Sequence, residues 1–160
     1  MSLFGPFRRW YWRYLRPEIH GVACLIECEG SILMIRHSLS RKTAWTLPSG
    51  NIEKDEDPLD AVIRATYDQV GIEVDDAREI DTVFSSRRQK QDTLHCFLIH
   101  VEDLAFQIHD DLVEDAKWFP VTHLPEYMSL VARAAIDRIR FETLSDACHE
   151  NPNEGVCQVK

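Results

Sequence analysis

From Gly50 to Ile72 the chain reads Gly-Asn-Ile-Glu-Lys-Asp-Glu-Asp-Pro-Leu-Asp-Ala-Val-Ile-Arg-Ala-Thr-Tyr-Asp-Gln-Val-Gly-Ile, and both ends of a helix are written into it. Asp57 is a strong N-cap, Pro58 suits the first helical position, Asp60 stands where a capping box places its acid, and Gly71 suits the left-handed position past the last turn. Leu59, Val62, Ile63, Thr66 and Val70 recur every three or four residues and predict one apolar face, while Asp60, Arg64 and Asp68 line another at i, i+4 and i+8. A helix of this kind must lay its apolar face on a sheet.

The rest of the chain supplies that sheet. Gly21 to Cys28 and Ser31 to His37 are rich in β-branched and apolar residues and are separated by Glu29-Gly30, the pattern of a hairpin. Glu79 to Ser86 and Thr93 to Val101 read as two further strands, joined by a polar stretch that holds Arg87, Arg88 and Lys90. A second helix is expected over Ser129 to Phe141, with Leu130, Ala134, Ile136 and Ile139 on its apolar side and Arg133, Arg138 and Arg140 on its polar one. Two helical patterns among several short strands imply a layered α+β domain.

With a glycine, five residues, Glu56, seven residues, Arg64, and then Gly71-Ile72, the stretch resembles the signature of the Nudix hydrolase family. Trp45, Leu47 and Pro48 are similar to the Trp-x-Leu-Pro approach of many members. Asp110 to Pro125, an acidic loop leading to Trp118-Phe119 and then Leu124-Pro125, resembles a second Nudix stretch. The resemblance covers about residues 18–141. It implies a Nudix α/β/α sandwich, a mixed β-sheet between helices, and a metal-dependent cleavage of a pyrophosphate bond by water in a nucleoside diphosphate linked to another moiety.

Where the family carries three helix glutamates, this chain has Ala65, Asp68 and Gln69. The resemblance therefore implies Glu53, Glu56, Arg64 and Asp68 as the catalytic set, with Glu53, Glu56, Asp68 and Gln69 as donors to a weakly bound Mg²⁺ or Mn²⁺. Activity is expected to be weak or atypical, and the alternative is a catalytically silent nucleotide-binding or regulatory module. Mg²⁺ often takes only one or two protein carboxylates and leaves the rest of its shell to water and phosphates. Glu114 or Asp115 stands where the acidic loop offers a replacement acid. Arg41, Arg87 and Arg88, as bidentate phosphate donors, and Trp45 are the substrate-binding candidates; an exposed charged turn accounts for the arginines equally well.

Composition narrows the partners. A net charge of −9 over 160 residues argues against general nucleic-acid binding, which needs a basic surface. Residues 1–16 hold Arg8, Arg9, Arg13 and Arg16 with no acid, which leaves −13 for the remainder. That segment puts Leu3, Phe7, Trp10 and Tyr14 near one side of a short helix. It suits docking on its own domain, a homodimer contact or, less well, peripheral attachment to an anionic membrane. The expected division is a basic aromatic helix at 1–17, the domain at 18–142 and a flexible tail at 143–160. Five cysteines, an odd number without framework spacing, fit a reducing, cytoplasmic setting; Cys148-His149 has no second ligand pair with zinc-finger spacing.

Overall fold

The computed structural model describes residues 20–38, 44–87 and 90–149, and of 84–87, 90–92 and 141–149 it describes the backbone. The elements in chain order are β1 (His20–Cys28), β2 (Ser31–His37), β3 (Ser49–Asn51), α1 (Pro58–Val70), β4 (Arg78–Arg87), β5 (Lys90–His100), β6 (Val113–Pro120) and α2 (Leu130–His149). The expected helix at 1–17, Arg41, Arg88 and residues 150–160 lie outside the described residues. The second helix runs on to His149, past its expected end at Phe141.

One mixed sheet holds all six strands, in the order β4-β5-β1-β2-β6, with β3 also on β1. Strand β1 is its spine. One edge runs parallel to β5 from His20↔Thr93 to Glu27↔His100, while the other is shared antiparallel between β3 (Val22↔Gly50) and β2 (Ile26↔Leu33). The β1–β2 hairpin closes through Glu29 (φ 48°) and Gly30 (φ 74°). The Gly30 N–H donates to the Glu27 carboxylate at 2.6 Å.

Because helices cover both faces, β1 and β2 are apolar at nearly every position rather than at alternate ones. Val22, Cys24, Ile26, Leu33 and Ile35 point to the α1 layer, where they meet Ala61, Val62, Ala65 and Val70. Ala23, Leu25, Ile32 and Met34 point to the α2 layer, where they meet Ala132, Ala135 and Ile136. The α/β/α sandwich expected from the sequence is the arrangement found.

Two helix faces differ from expectation. On α1 the buried stripe is Ala61, Val62, Ala65, Thr66, Gln69 and Val70, and Leu59 and Ile63 lie at its margin. Val62, Thr66 and Val70 are buried as expected and Leu59 and Ile63 pack against the same core; the small Ala61 and Ala65 join the stripe and let the helix backbone approach the sheet closely. On α2, Leu130 is 85% exposed, and the buried residues are Ala132, Ala135 and Ile136. No helix among the described residues is long and apolar enough to cross a membrane.

Candidate functional site

The strand β3, the loop 52–57 and α1 form one platform, and local chemistry explains its shape. Asp57 has extended backbone (φ −75°, ψ 142°) and accepts from the Leu59 N–H at 2.9 Å, so the helix starts where the cap dictates. Gly71 ends it at φ 65°, donating to the Tyr67 carbonyl at 2.9 Å. A Cβ on Gly71 would come within 2.9 Å of the Gln107 carbonyl oxygen, so this position requires glycine for space as well as for conformation. The connection 101–112 then runs beneath the end of α1. Its Gln107 N–H bonds the Val70 carbonyl (2.9 Å) and its His109 N–H bonds the Gln69 carbonyl (3.2 Å), which satisfies acceptors the last turn leaves open.

Four of the expected residues meet on the outer side of this platform, and Arg64 is their centre. Its Nε and Nη2 donate to the two oxygens of Glu56, each at 2.8 Å, and Nη2 also donates to the Asn51 carbonyl at 2.9 Å. Its Nη1 lies 3.9 Å from Glu53 and 3.6 Å from Asp68. Glu56 in turn accepts the Glu53 N–H at 2.7 Å and closes the loop on itself. The Arg64 fork and that backbone donor hold the Glu56 carboxyl down at about 2. Reciprocally, the bond to Glu56 raises the Arg64 guanidinium above its usual value. These bonds fasten the loop to the helix.

The inner side is different. Ala65 is 3% exposed and packs so tightly under β3 that a Cβ on Gly50 would sit 2.8 Å from its own Cβ. Gln69 is buried; its Oε1 accepts the Ser49 N–H at 2.8 Å and its Nε2 donates to Asp110 at 3.4 Å. Asp110 is thus the acid that the connection brings to the platform. Its position directly before the strand-forming run is a weak sequence signal, overshadowed by the acids beside it. Glu114 and Asp115, the expected replacements, sit against Arg36 at 3.4 and 3.6 Å.

A divalent cation seeks several hard oxygen donors. Ala65 offers none, the Gln69 oxygen is committed to Ser49, and Glu53, Glu56 and Asp68 all face Arg64. Among the described residues no three His, Cys, Asp or Glu side chains converge as a cation cage. The donor set does not fit an ion held by this protein alone.

Trp45 is engaged in the other layer. Its ring meets Phe119 edge-on (4.8 Å, 71°), the Arg36 guanidinium lies over it at 5.4 Å, and both rings join the α2-side core. Arg87 is the last residue of β4. A cavity of about 410 Å³ opens between α2 and the segment after β6, lined by Leu124, Met128, Arg133, Ile136 and Arg140 among others, and none of the expected site residues lines it.

With this geometry in place, comparison with known proteins is specific as to family. A model described as "NUDIX domain" matches residues 17–139. Phosphatase NudJ of Escherichia coli K12 is 25% identical over 121 residues, which span 74% of this chain and 79% of that protein. A MutT NUDIX hydrolase from Burkholderia pseudomallei superposes with a TM-score of 0.69 at 22% identity, over 76% of this chain and 97% of the other. The NUDIX domain of Shewanella oneidensis NrtR, solved with ADP ribose, gives a TM-score of 0.67 at 19% identity, over 89% and 99%. A C. elegans Ap4A hydrolase gives 0.66 at 15% identity, over 79% and 98%.

Proposed function

The chain belongs to the NUDIX family, and on that premise we propose that it is a weak, atypical pyrophosphohydrolase of a nucleoside diphosphate linked to another moiety. The observation that carries this reading is the convergence of Glu53 and Asp68, 73% and 58% exposed, on one guanidinium nitrogen of Arg64. Both carboxylates keep most of their surface in solvent, and a diphosphate that arrives as its Mg²⁺ or Mn²⁺ salt would draw them from Arg64. An ion held mainly by substrate phosphates needs no more than one or two protein carboxylates. Arg64 keeps the loop in place, and Arg41, Arg87 and Arg88 are assigned to the phosphates; Trp45, expected with them, packs in the opposite layer. The relatives support the substrate class, since NrtR was solved with ADP ribose and another neighbour is an Ap4A hydrolase. Buried, free Cys24, Cys28 and Cys96 suit the reducing, cytoplasmic setting proposed for it.

The buried side of the platform favours a second reading. With Ala65 and Gln69 neutral and already engaged, the same surface serves as a silent module that binds the nucleotide without turning it over.

Release of phosphate or nucleotide from nucleoside diphosphate sugars, dinucleotides and nucleoside triphosphates, with Mg²⁺ and with Mn²⁺, separates the two. The hydrolase reading expects slow turnover that Asp68→Ala abolishes and that Ala65→Glu with Gln69→Glu raises. No turnover by the parent on any substrate, together with nucleotide binding in equilibrium dialysis, establishes the silent module instead.

A further inference from the structure

Gln69 stands where the family carries an acid, and the structure gives it a full set of different partners. It is 8% exposed, one of two buried polar side chains among the described residues. Its amide touches two segments. On one side is the Ser49 N–H of β3, which donates to Oε1 at 2.8 Å; on the other is Oδ2 of Asp110, which accepts from Nε2 at 3.4 Å. The second Asp110 oxygen is occupied by the Leu112 N–H at 2.9 Å.

The demands of the two neighbours are opposite. Ser49 needs an acceptor and Asp110 needs a donor, and a side-chain amide offers both from one planar group. A carboxylate at position 69 would still serve Ser49, but it would turn a lone pair and a negative charge toward Asp110 at a part-buried contact. A cation placed between them, or a proton shared by the two carboxyl groups, would relieve that opposition. A thioether of the same length would serve neither neighbour.

We propose that Gln69 is a positioning residue whose amide takes the place of a cation: it clamps β3 and the 101–112 connection onto α1 through hydrogen bonds, with no ion. The clamp is independent of turnover, so its test leaves the hydrolase reading untouched. It makes the stability of the full chain indifferent to chelation.

Thermal unfolding of the full-length protein in EDTA and in millimolar Mn²⁺ tests it. The parent melts at the same temperature in both. Gln69→Glu melts roughly 5 °C lower in EDTA and recovers most of that loss with Mn²⁺. Gln69→Glu with Asp110→Asn restores a donor from the opposite side, and so returns to the parent temperature in EDTA without responding to Mn²⁺. Gln69→Met loses about the same as Gln69→Glu but gains nothing from the ion. A Gln69→Glu protein that melts with the parent in EDTA overturns the clamp, as does a double variant that stays at the single variant's temperature. Should Gln69→Glu not fold, amide exchange at Ser49 in the parent and in Gln69→Met decides: the clamp requires protection that falls at least tenfold in the variant, and equal protection refutes it.

Discussion

The platform has two sides, one residue apart on the same turns of helix, that solve the same problem in opposite ways. On the outer side charge is gathered in the open: Glu53 and Asp68 keep most of their surface in water, and Arg64 balances them together with Glu56. On the inner side Ala65 and Gln69 are shut in, at 3% and 8% exposure, and every polar atom must find its partner within the protein. Water forgives the first arrangement, because an exposed carboxylate without a partner remains solvated. Nothing forgives the second, since an enclosed polar group left unpaired loses its hydration outright. The outer side therefore tolerates an unpaired acid, and the inner side does not.

The comparison breaks most sharply at Gly50. Gly50→Val drives a branched side chain into Ala65 across a gap already closed at 2.8 Å, and should cost about 3 kcal/mol in urea unfolding. Gly50→Ala with Ala65→Gly should be more stable than the sum of the two single changes predicts, because each makes room for the other. Arg64→Ala, which removes the fork from an only partly exposed cluster, should cost about 2 kcal/mol. Arg64→Lys should regain little of it, having no planar pair of donors for Glu56.

A third test uses acid. The folded Glu56 carboxyl lies at about 2 against an ordinary 4.5, so its contribution is complete above about 4.5, erodes as pH falls below that and is gone below about 2. Glu56→Gln should remove that component and flatten the stability profile across this window, measured by urea midpoints at successive pH values. The smallest effect belongs to Glu53→Gln on the open side, under about 0.5 kcal/mol in the same urea measurement. A larger loss would mean that the outer acids are structural, and the contrast between the two sides would fail.

Much of this was legible in the chain. The limits of α1 follow from Asp57, Pro58 and Gly71, whose effects act within a turn of themselves, and the β1–β2 hairpin follows from Glu29-Gly30. The family signature brought Glu53, Glu56, Arg64 and Asp68 forward, and they do meet. Other parts were not legible. Ser-Gly-Asn has poor strand propensity and becomes β3 only because β1 offers it an open edge. The buried stripe of α1 was expected at its larger residues, and Ala61 and Ala65 join it unannounced, since small side chains carry no hydrophobic signal and still permit the closest packing. Asp110 does not stand out among the four acids between 110 and 115, because spacing along a connection without periodicity says nothing of which side chain turns inward.

By itself, then, the sequence determined what depends on neighbours along the chain: the helix and its caps, the hairpin, the alternating layers of the sheet, and the family to which these belong. Only the tertiary structure decided that Arg64 draws three acids to itself, that Gln69 faces Ser49 and Asp110, and that Trp45 packs in the layer opposite α1. Apart from the Arg64–Asp68 pair within the helix, those outcomes rest on contacts between separate segments, where burial and partner geometry, rather than local preference, fix which atoms meet.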